Sequence, residues 1–240
     1  MEEINVLTKT DNNKSYNIIL DNSYVNLANK LKELYPEKVK VCIITDSNVA
    51  PLYLEQLKSA VSDVFSKVHD FTFEAGEESK NLDVINEAYE GLIDHHFNRK
   101  DVLIALGGGV TGDMTGYIAA TYMRGIDFIQ VPTTLLSMVD SSIGGKTGVD
   151  YKQYKNMIGA FKMPRLVYIN TSVLKTLSDL QFASGMAEVL KAGLLKDANF
   201  YEWTINNFLE INDKNEEILT NMIRKSIEIK KFIVEKDPFE

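Results

Sequence analysis

Apolar runs and helical patterns alternate along the chain from Val39 onward. Short runs rich in β-branched residues are separated by stretches in which apolar side chains recur at helical spacing. In order, these segments are VKVCIITD, a helical pattern over residues 50–62, SKVHDFTF, LDVINEAYEGLIDHHF and DVLIAL. A continuous apolar strand such as 102–106 is typical of a parallel sheet covered on both faces. The pattern therefore predicts a doubly wound α/β domain over residues 1–170.

The strand pattern stops after LVYINT. Residues 178–236 show helical periodicity, with polar breaks near Asp197 and around NDKNEE. This predicts a second, all-helical domain over residues 171–240. Its last segment, SIEIKKFIVEKDPFE, is amphipathic almost to the final residue. Because an amphipathic helix needs a partner to cover its apolar face, we expect this helical domain to be incomplete in the chain.

Composition narrows the class of protein. The chain has 45% hydrophobic and 25% charged residues, as globular proteins do, and no apolar run of the roughly 18 residues that a membrane span needs. The N-terminal residues lack the features of a signal peptide, which predicts a cytoplasmic protein. Cys42 is the one cysteine and lies in an apolar run, so we assign it to the core. A net charge of −8 argues against binding to nucleic acid or to an anionic membrane.

A glycine cluster follows the strand DVLIAL and opens a helical segment. Gly107, Gly109 and Gly112 fit the spacing G-x-G-x-x-G. Without side chains, such residues let backbone N–H groups approach a pyrophosphate at a helix N-terminus. A tight turn without a ligand is the alternative, and the usual dinucleotide fingerprint opens the first βαβ unit, whereas this cluster comes later in the chain.

Two further loops follow predicted strands. Asp46 and Asn48 come after VCIIT, and Lys80 lies in the loop AGEESKN. Ligands of α/β proteins gather at the carboxyl ends of parallel strands, where these side chains could bind a ribose or a phosphate. Helix capping by Asp46 or Ser47 and a solvated Lys80 are the alternatives. Together with the glycine cluster, the loops predict a nucleotide site.

A polar segment follows, over residues 124–161. Arg124, Lys146, Lys155 and Asn156 are donors suited to phosphate or carboxylate oxygens, and Asp140 is an acceptor in an apolar setting. The sequence GGKTG resembles an anion-binding turn. Helix caps and surface charges are the alternative. We interpret this segment as facing an anionic ligand.

These motifs resemble a known family. The segments GGGVTGDMTGYIAATYMRG, FIQVPTTLLSMVDSSIGGKTGVD and YKNMIGAF are similar to the core motifs of 3-dehydroquinate synthases, and the resemblance runs from about Thr45 to the last residue. Cyclases that make deoxy-inosose rings and metal-dependent glycerol dehydrogenases share the fold and parts of the glycine loop. The combination of MTGYIAATYMRG with SSIGGKTGVD is closer to the synthases. The first forty residues match no motif of the family.

The resemblance implies a set of binding residues. Its NAD contacts fall on Asp46, Asn48, Ala75, Gly76, Glu77, Glu78, Ser79, Lys80, Gly109, Val110, Thr111, Gly112, Asp113, Thr133, Thr134, Lys146, Lys155, Val173, Leu174, Lys175 and Thr176. Its substrate contacts fall on Asp140, Lys146, Asn156, Lys191, Lys230 and Arg124. In the family the residue matching Arg124 reaches the substrate phosphate from the neighbouring subunit, which implies a homodimer.

A metal site is also implied. Glu188 and Lys191 lie three apart in SGMAEVLKAGLL, a spacing that an exposed ion pair would also explain. By resemblance, Glu188 matches a carboxylate ligand to a divalent metal, usually zinc or cobalt, which two histidines complete. The chain's histidines, His69, His95 and His96, precede the glycine loop and match neither. We assign surface or capping roles to His95 and His96. We therefore expect an incomplete metal site and an inactive chain.

The implied activity is that of a lyase in the shikimate pathway. Such enzymes convert 3-deoxy-D-arabino-heptulosonate 7-phosphate, a phosphorylated keto acid, to 3-dehydroquinate and phosphate, using NAD without consuming it. Two alternatives remain open at this point. The chain could be a metal-dependent polyol dehydrogenase of the glycerol type with the same fold, or a NAD-binding fragment without activity.

Overall fold

The computed structural model describes residues 1–7 and 15–237. Its main sheet has seven strands in the order β1-β2-β9-β6-β5-β3-β4, and a separate antiparallel hairpin is formed by β7 and β8. The strands are β1 Glu2–Val6, β2 Tyr16–Asp21, β3 Lys40–Asp46, β4 Lys67–Phe73, β5 Val102–Gly107, β6 Asp127–Pro132, β7 Lys146–Tyr151, β8 Tyr154–Phe161 and β9 Leu166–Asn170. β1 runs antiparallel to β2, and the other strand pairs of the main sheet are parallel.

Helices flank the sheet and make up the last part of the chain. They are α1 Leu27–Leu34, α2 Glu55–Val61, α3 Leu82–Asp94, α4 Gly109–Thr121, α5 Asp179–Lys196, α6 Ala198–Asn206, α7 Phe208–Asn212 and α8 Glu216–Lys236. Short helical turns at Ala50–Leu54, Glu77–Ser79, Tyr122–Arg124, Ser137–Ser141 and Thr171–Thr176 connect them. No helix of the described residues is long and apolar enough to cross a bilayer.

The central strands bury side chains on both faces. On β3, Val41 and Ile43 join one buried cluster, whereas Cys42 and Ile44 join a second cluster on the opposite face. Successive side chains of a strand point to opposite faces, so a strand between two helical layers must be apolar throughout. The predicted doubly wound sheet and the core position of Cys42 are confirmed.

Capped helices follow β9, as the sequence predicted. Ser178, Asp197 and Asn215 each accept a backbone hydrogen bond at the start of α5, α6 and α8. Apolar side chains of α5 and α8, such as Met186 and Ile227, belong to the same buried cluster as one face of the sheet. A helical C-terminal part is thus confirmed, and the domain boundary at residue 170 stays a prediction.

The order of the strands creates a crevice at the carboxyl edge of the sheet. From β3 the chain crosses to β4 on one side, and then returns to β5 on the other side of β3. Such a reversal leaves a gap between the helices that follow the two central strands, and ligands of open α/β sheets bind there. Here the gap lies between the ends of β3 and β5, which are Asp46 and Gly107.

Candidate functional site

The glycine loop begins α4 at this crevice. Gly108 is the N-cap, so the free N–H groups of the first turn of α4 lie at the carboxyl edge of the sheet. Space at the loop is tight, because a Cβ on Gly107 would lie 2.3 Å from Thr111 Oγ1 and one on Gly109 would lie 3.1 Å from Ser141 Oγ. The Thr111 hydroxyl donates to Asp46 Oδ2 at 3.3 Å, which joins the loop to β3.

The later glycines of α4 serve packing. A Cβ on Gly112 would lie 2.7 Å from Gln130 Oε1 of β6, and one on Gly116 would lie 2.3 Å from Thr147 Cγ2 of the hairpin. These contacts bring α4 close to both the sheet and the hairpin. The third glycine of the G-x-G-x-x-G spacing thus sets the approach of helix to strand, and the N–H groups of the first turn are left for a ligand.

Asp46 closes a turn after β3 and also faces the crevice. Its Oδ1 accepts the backbone N–H groups of Asn48 and Val49, each at 3.0 Å. The helical turn that follows has Val49 as its N-cap and no side-chain cap, so the capping alternative is wrong for Asp46. Asn48 is exposed beside it. The two roles are compatible, because Oδ2 of Asp46 is the oxygen that accepts from Thr111 at the glycine loop.

A buried hydroxyl supports a polar ligand at this edge. Thr133 follows β6, and its backbone N–H donates to Gly107 O at 2.9 Å. Its Oγ1 is buried and has no hydrogen-bond partner among the described residues. A buried hydroxyl without a partner is costly, and a bound polar group would satisfy it. Together with the helix N-terminus, Thr133 fits the phosphates or ribose of a dinucleotide.

Lys80 lies under the site and is 4% exposed. Its ammonium group lies 2.7 Å from Asp113 Oδ2 on α4 and 2.6 Å from Asn156 Oδ1 on the hairpin. The alternative of a solvated lysine is therefore wrong. Burial raises the pKa of Asp113, and the Lys80 ammonium opposes that rise.

A cleft of about 490 Å³ opens between α4, the hairpin and α8. Five of the predicted site residues line it together: Asp113, Asp140, Lys146, Asn156 and Lys230. The other lining residues are Ser141, Ile143, Gly144, Gly145, Thr147, Gly148, Gly159, Ala160, Phe161, Val234 and Asp237. The cleft thus combines two lysines and an amide with three carboxylates, a set that can bind an anionic, hydroxyl-rich molecule.

The cleft is assembled from distant parts of the chain. Asp140 lies in the turn after β6, and Lys230 of α8 places its Nζ 2.8 Å from Asp140 Oδ1. Gly144, with φ +108°, follows in a conformation that glycine adopts without strain. Its N–H donates to the Tyr16 hydroxyl at 2.9 Å, so this N–H of the GGKTG segment is already bonded within the chain.

Other predicted NAD contacts border the crevice. Lys155 pairs with Glu77 at 3.1 Å, which links the tip of the hairpin to the loop after β4. In that loop, the Ala75 N–H donates to Ser47 Oγ at 3.0 Å, next to the end of β3. The turn after β9 holds the predicted contacts Val173 to Thr176, and the Tyr53 hydroxyl donates to Val173 O at 3.2 Å.

Arg124 lies outside the cleft. It is exposed on the turn after α4, with φ +68°, and it does not line the cleft of its own chain. Met123 before it also has a positive φ, of +50°. Two successive non-glycine residues in the left-handed region are uncommon, and this backbone presents Arg124 to solvent.

The predicted metal ligand lies on α5. Glu188 accepts from Lys191 Nζ at 3.0 Å, the arrangement of the simple ion pair. Neither residue lines the cleft. Within residues 1–7 and 15–237, no group of three or more His, Cys, Asp or Glu side chains could hold a metal ion. The described residues therefore do not fit a complete zinc site, which takes three protein ligands in its usual catalytic form.

The histidines lie elsewhere. His69 of β4 stacks on His95 with ring centroids 4.0 Å apart. His95 is the C-cap residue of α3, and His96 follows in the left-handed region, with φ +56°. This arrangement agrees with the predicted surface or capping roles of His95 and His96, whereas His69 is half-buried.

Sequence reasoning missed Tyr16, Phe161 and Val234. Tyr16 lies in the segment without a family motif, and its link to Gly144 depends on the tertiary fold. Burial raises the pKa of Tyr16 to about 12, so its hydroxyl stays protonated at neutral pH. Phe161 and Val234 line the cleft as apolar wall, which the polar pattern of their neighbours did not indicate.

Comparison with known proteins places these features in a family context. The family model described as 3-dehydroquinate synthase N-terminal matches residues 70–184, and the model described as 3-dehydroquinate synthase C-terminal matches residues 185–240. The chain is 47% identical over 206 residues to a 3-dehydroquinate synthase of Shewanella pealeana, covering 86% of this chain and 57% of that protein. It is 42% identical over 241 residues to a 3-dehydroquinate synthase of Nitrosomonas europaea, covering 100% of this chain and 65% of that protein.

A solved structure supports the fold. The chain superposes with a TM-score of 0.87 and 27% identity on 2-deoxy-scyllo-inosose synthase, a structure complexed with carbaglucose-6-phosphate, NAD+ and Co2+. This match covers 100% of the chain and 64% of that structure. The chain thus spans about 57–65% of the length of the proteins it matches.

Proposed function

The chain belongs to the 3-dehydroquinate synthase family, and we propose that it carries the NAD site and much of the substrate site for converting 3-deoxy-D-arabino-heptulosonate 7-phosphate to 3-dehydroquinate and phosphate. The observation that carries this proposal is the shared cleft. It brings Asp113, Asp140, Lys146, Asn156 and Lys230 together beside the glycine loop. A phosphorylated keto acid needs cations for two anionic groups and acceptors for its hydroxyls, and this set supplies both.

NAD is the proposed cofactor. The first turn of α4, the unpartnered Thr133 hydroxyl and the Asp46 carboxylate would hold its phosphates and ribose at the crevice between β3 and β5. When bound, NAD supplies a reversible hydride acceptor. Residues 1–170 would form this nucleotide domain, and residues 171–240 would contribute to substrate binding.

Within the cleft the side chains divide the work by charge. Lys146 and Asn156 would donate to phosphate oxygens, which orients the substrate and stabilises phosphate as it leaves. Lys230, held at 2.8 Å from Asp140, would address the oxygen-rich remainder of the substrate. Asp140 would accept a substrate hydroxyl. Lys191 does not line this cleft, and its contact with the substrate stays a prediction. Arg124 is exposed on its turn. In a homodimer it would contact the phosphate of the substrate that is bound to the partner chain.

A divalent metal is implied by the family, but the described residues supply Glu188 alone from the family's ligand set. A homodimer, a cytoplasmic location and the choice of zinc or cobalt stay predictions.

A chimera would test the proposed function. The 240 residues replace the matching part of the Shewanella pealeana synthase, whose own C-terminal part is kept. We expect phosphate release from the seven-carbon substrate at catalytic amounts of NAD, without net NADH. Lys146→Ala in the same chimera serves as the control and should lose most of this activity.

The alternatives give other results in this assay. Steady NADH formation from glycerol would support the polyol dehydrogenase. Normal NAD binding without phosphate release would support a binding fragment. Sequence favours the synthase, since curated synthases are 42–49% identical to the chain.

A further inference from the structure

The side-chain amide of Asn156 has a fixed orientation. Lys80 Nζ lies 2.6 Å from it, and an ammonium group donates hydrogen bonds without accepting any. The amide atom that faces Lys80 must therefore be the oxygen, Oδ1, because the NH₂ group in that place would leave two donors facing each other. The NH₂ group consequently points away from Lys80. Among the described residues, nothing accepts a hydrogen bond from this NH₂ group, and Asn156 lines the cleft.

The backbone of Asn156 is held by a second link to the same lysine. Asp150 N–H donates to Lys80 O at 2.8 Å, and Asp150 Oδ1 accepts the Asn156 N–H at 2.7 Å. Asn156 has φ +55°, a left-handed conformation that asparagine tolerates better than most residues. Backbone and side chain are thus both tied to Lys80, which leaves the amide little freedom to rotate.

Lys80 itself is fixed from the other side. Asp113 Oδ2 lies 2.7 Å from its Nζ, and the lysine is 4% exposed. A buried ammonium needs such a carboxylate, because desolvation alone would favour its neutral form. Lys80 is therefore a rigid donor between α4 and the hairpin, and the Asp113 carboxylate balances its charge.

We infer that Lys80 is a positioning residue. It holds Asn156 Oδ1 toward its own ammonium group, so that the Asn156 NH₂ group donates to an anionic oxygen of the substrate in the cleft. This inference rests on the proposed function, and it assigns Lys80 a task separate from its predicted contact with NAD. Without Lys80 the amide can turn over, and the oxygen would then repel the same anion. The ligand class is a phosphate or carboxylate oxygen.

A double-mutant cycle on the 240-residue chain separates positioning from direct attraction. The variants are Lys80→Met, Asn156→Ala and the pair, and the probe is inorganic phosphate, titrated by NMR and by calorimetry. We expect each single variant to weaken phosphate binding about tenfold, as loss of one hydrogen bond to a charged group does. We expect the double variant to be no weaker than Asn156→Ala, since Lys80 acts through Asn156.

Losses that multiply in the double variant would overturn the inference, because they would mean that Lys80 attracts the anion independently. The side-chain NH₂ resonances of Asn156 give a second readout. They should shift on addition of phosphate to the wild-type chain, and the absence of a shift would also overturn the inference.

Two controls separate the role of Lys80 toward phosphate from its effects on Asp113 and on NAD binding. Lys80→Met leaves Asp113 buried without its cation, so the cycle is repeated in an Asp113→Asn background, where that charge is absent. NAD affinity is measured on each protein. A wild-type chain that does not bind NAD would count against the proposed function. The double-mutant cycle with phosphate would still decide the role of Lys80.

Discussion

Lys230 Nζ lies 2.8 Å from Asp140 Oδ1, and this ion pair joins the last helix to the turn after β6. The two side chains are 30% and 36% exposed, so solvent weakens their attraction and the pair contributes little to folding. Both side chains line the cleft, so we expect the pair to matter for the proposed substrate site rather than for folding.

We therefore expect Lys230→Ala to change the free energy of unfolding by less than about 1 kcal/mol. The same variant should weaken binding of the seven-carbon substrate about tenfold, because it removes a charged donor to the oxygen-rich part of that molecule. Urea unfolding and calorimetric titration measure the two quantities. Lys225→Ala on the same helix is the control, since Lys225 pairs with Glu228 at 3.8 Å and does not line the cleft. An equal loss of substrate binding in both variants would contradict this prediction.

A second prediction concerns the glycine loop. Gly109→Val should weaken NAD binding at least about tenfold, because a branched side chain blocks the approach of phosphate to the N–H groups of α4. Fluorescence titration with NADH measures this. The control is Gly91→Ala in α3, where a Cβ would meet nothing within 4 Å. That change should leave NAD binding intact and stabilise the fold by about 0.5–1 kcal/mol. NAD binding that survives Gly109→Val would place the nucleotide elsewhere.

Close packing of α4 on the hairpin gives a third prediction. Gly116→Ala places a Cβ 2.3 Å from Thr147 Cγ2, so it should lower the free energy of unfolding by about 1–3 kcal/mol. Thr147→Ser removes that methyl group and can keep the hydrogen bond that the Thr147 hydroxyl donates to Ala160 O. The double variant should recover most of the loss. If Thr147→Ser gives no recovery, the contact does not limit the approach of the hairpin.

The stacked histidines predict a dependence of stability on pH. Burial lowers the pKa of His69, and the neighbouring His95, Lys67 and Lys40 lower it further. The unfolded chain therefore binds a proton on His69 more readily than the folded chain. Stability should be fully present above the usual histidine pKa of about 6.5 and fall as the pH drops from there to the folded pKa.

His69→Gln should flatten this part of the stability curve, as urea unfolding at several pH values would show. His96→Asn is the matched control, since His96 is exposed and lies outside the stack. A curve with the same slope in the wild type and His69→Gln would assign the effect to other groups.

The last prediction concerns the metal. Because the described residues hold no three-ligand group, zinc binding by the 240-residue chain should not depend on Glu188. Glu188→Ala should change the apparent zinc affinity by less than about twofold, and the chain should release no phosphate from the substrate with NAD and zinc or cobalt. Calorimetry and a phosphate assay check this. Phosphate release that Glu188→Ala abolishes would show that a ligand outside our assignment completes the site.

Sequence patterns predicted the central strands well because burial on both faces makes them continuously apolar. The hairpin gave no such signal, since residues 154–157 of β8 are all exposed and no buried face imposes a period on them. β1 and β2 also escaped prediction, although YNIILD is an apolar run.

The candidate site shows the same limit. Family motifs indicated Asp140, Asn156 and Lys230 one at a time, and the contact of Lys80 with Asn156 depends on how two distant loops pack. Spacing alone did not decide between a ligand contact and a local bond for Asp46 and Glu188. Side-chain geometry was needed to describe the turn at Asp46 and the ion pair of Glu188.

The hydrogen bond from Gly144 to Tyr16 bears on how this chain can vary. The first forty residues match no motif of the family, so on sequence grounds alone they would be free to drift. The Tyr16 hydroxyl in that segment nevertheless accepts a hydrogen bond from the Gly144 N–H of the cleft turn at 2.9 Å. Drift in β2 is therefore constrained at position 16, where phenylalanine would keep the ring and leave a donor of the cleft unsatisfied. A segment that lacks any recognisable motif thus supplies an acceptor that holds the cleft turn in place.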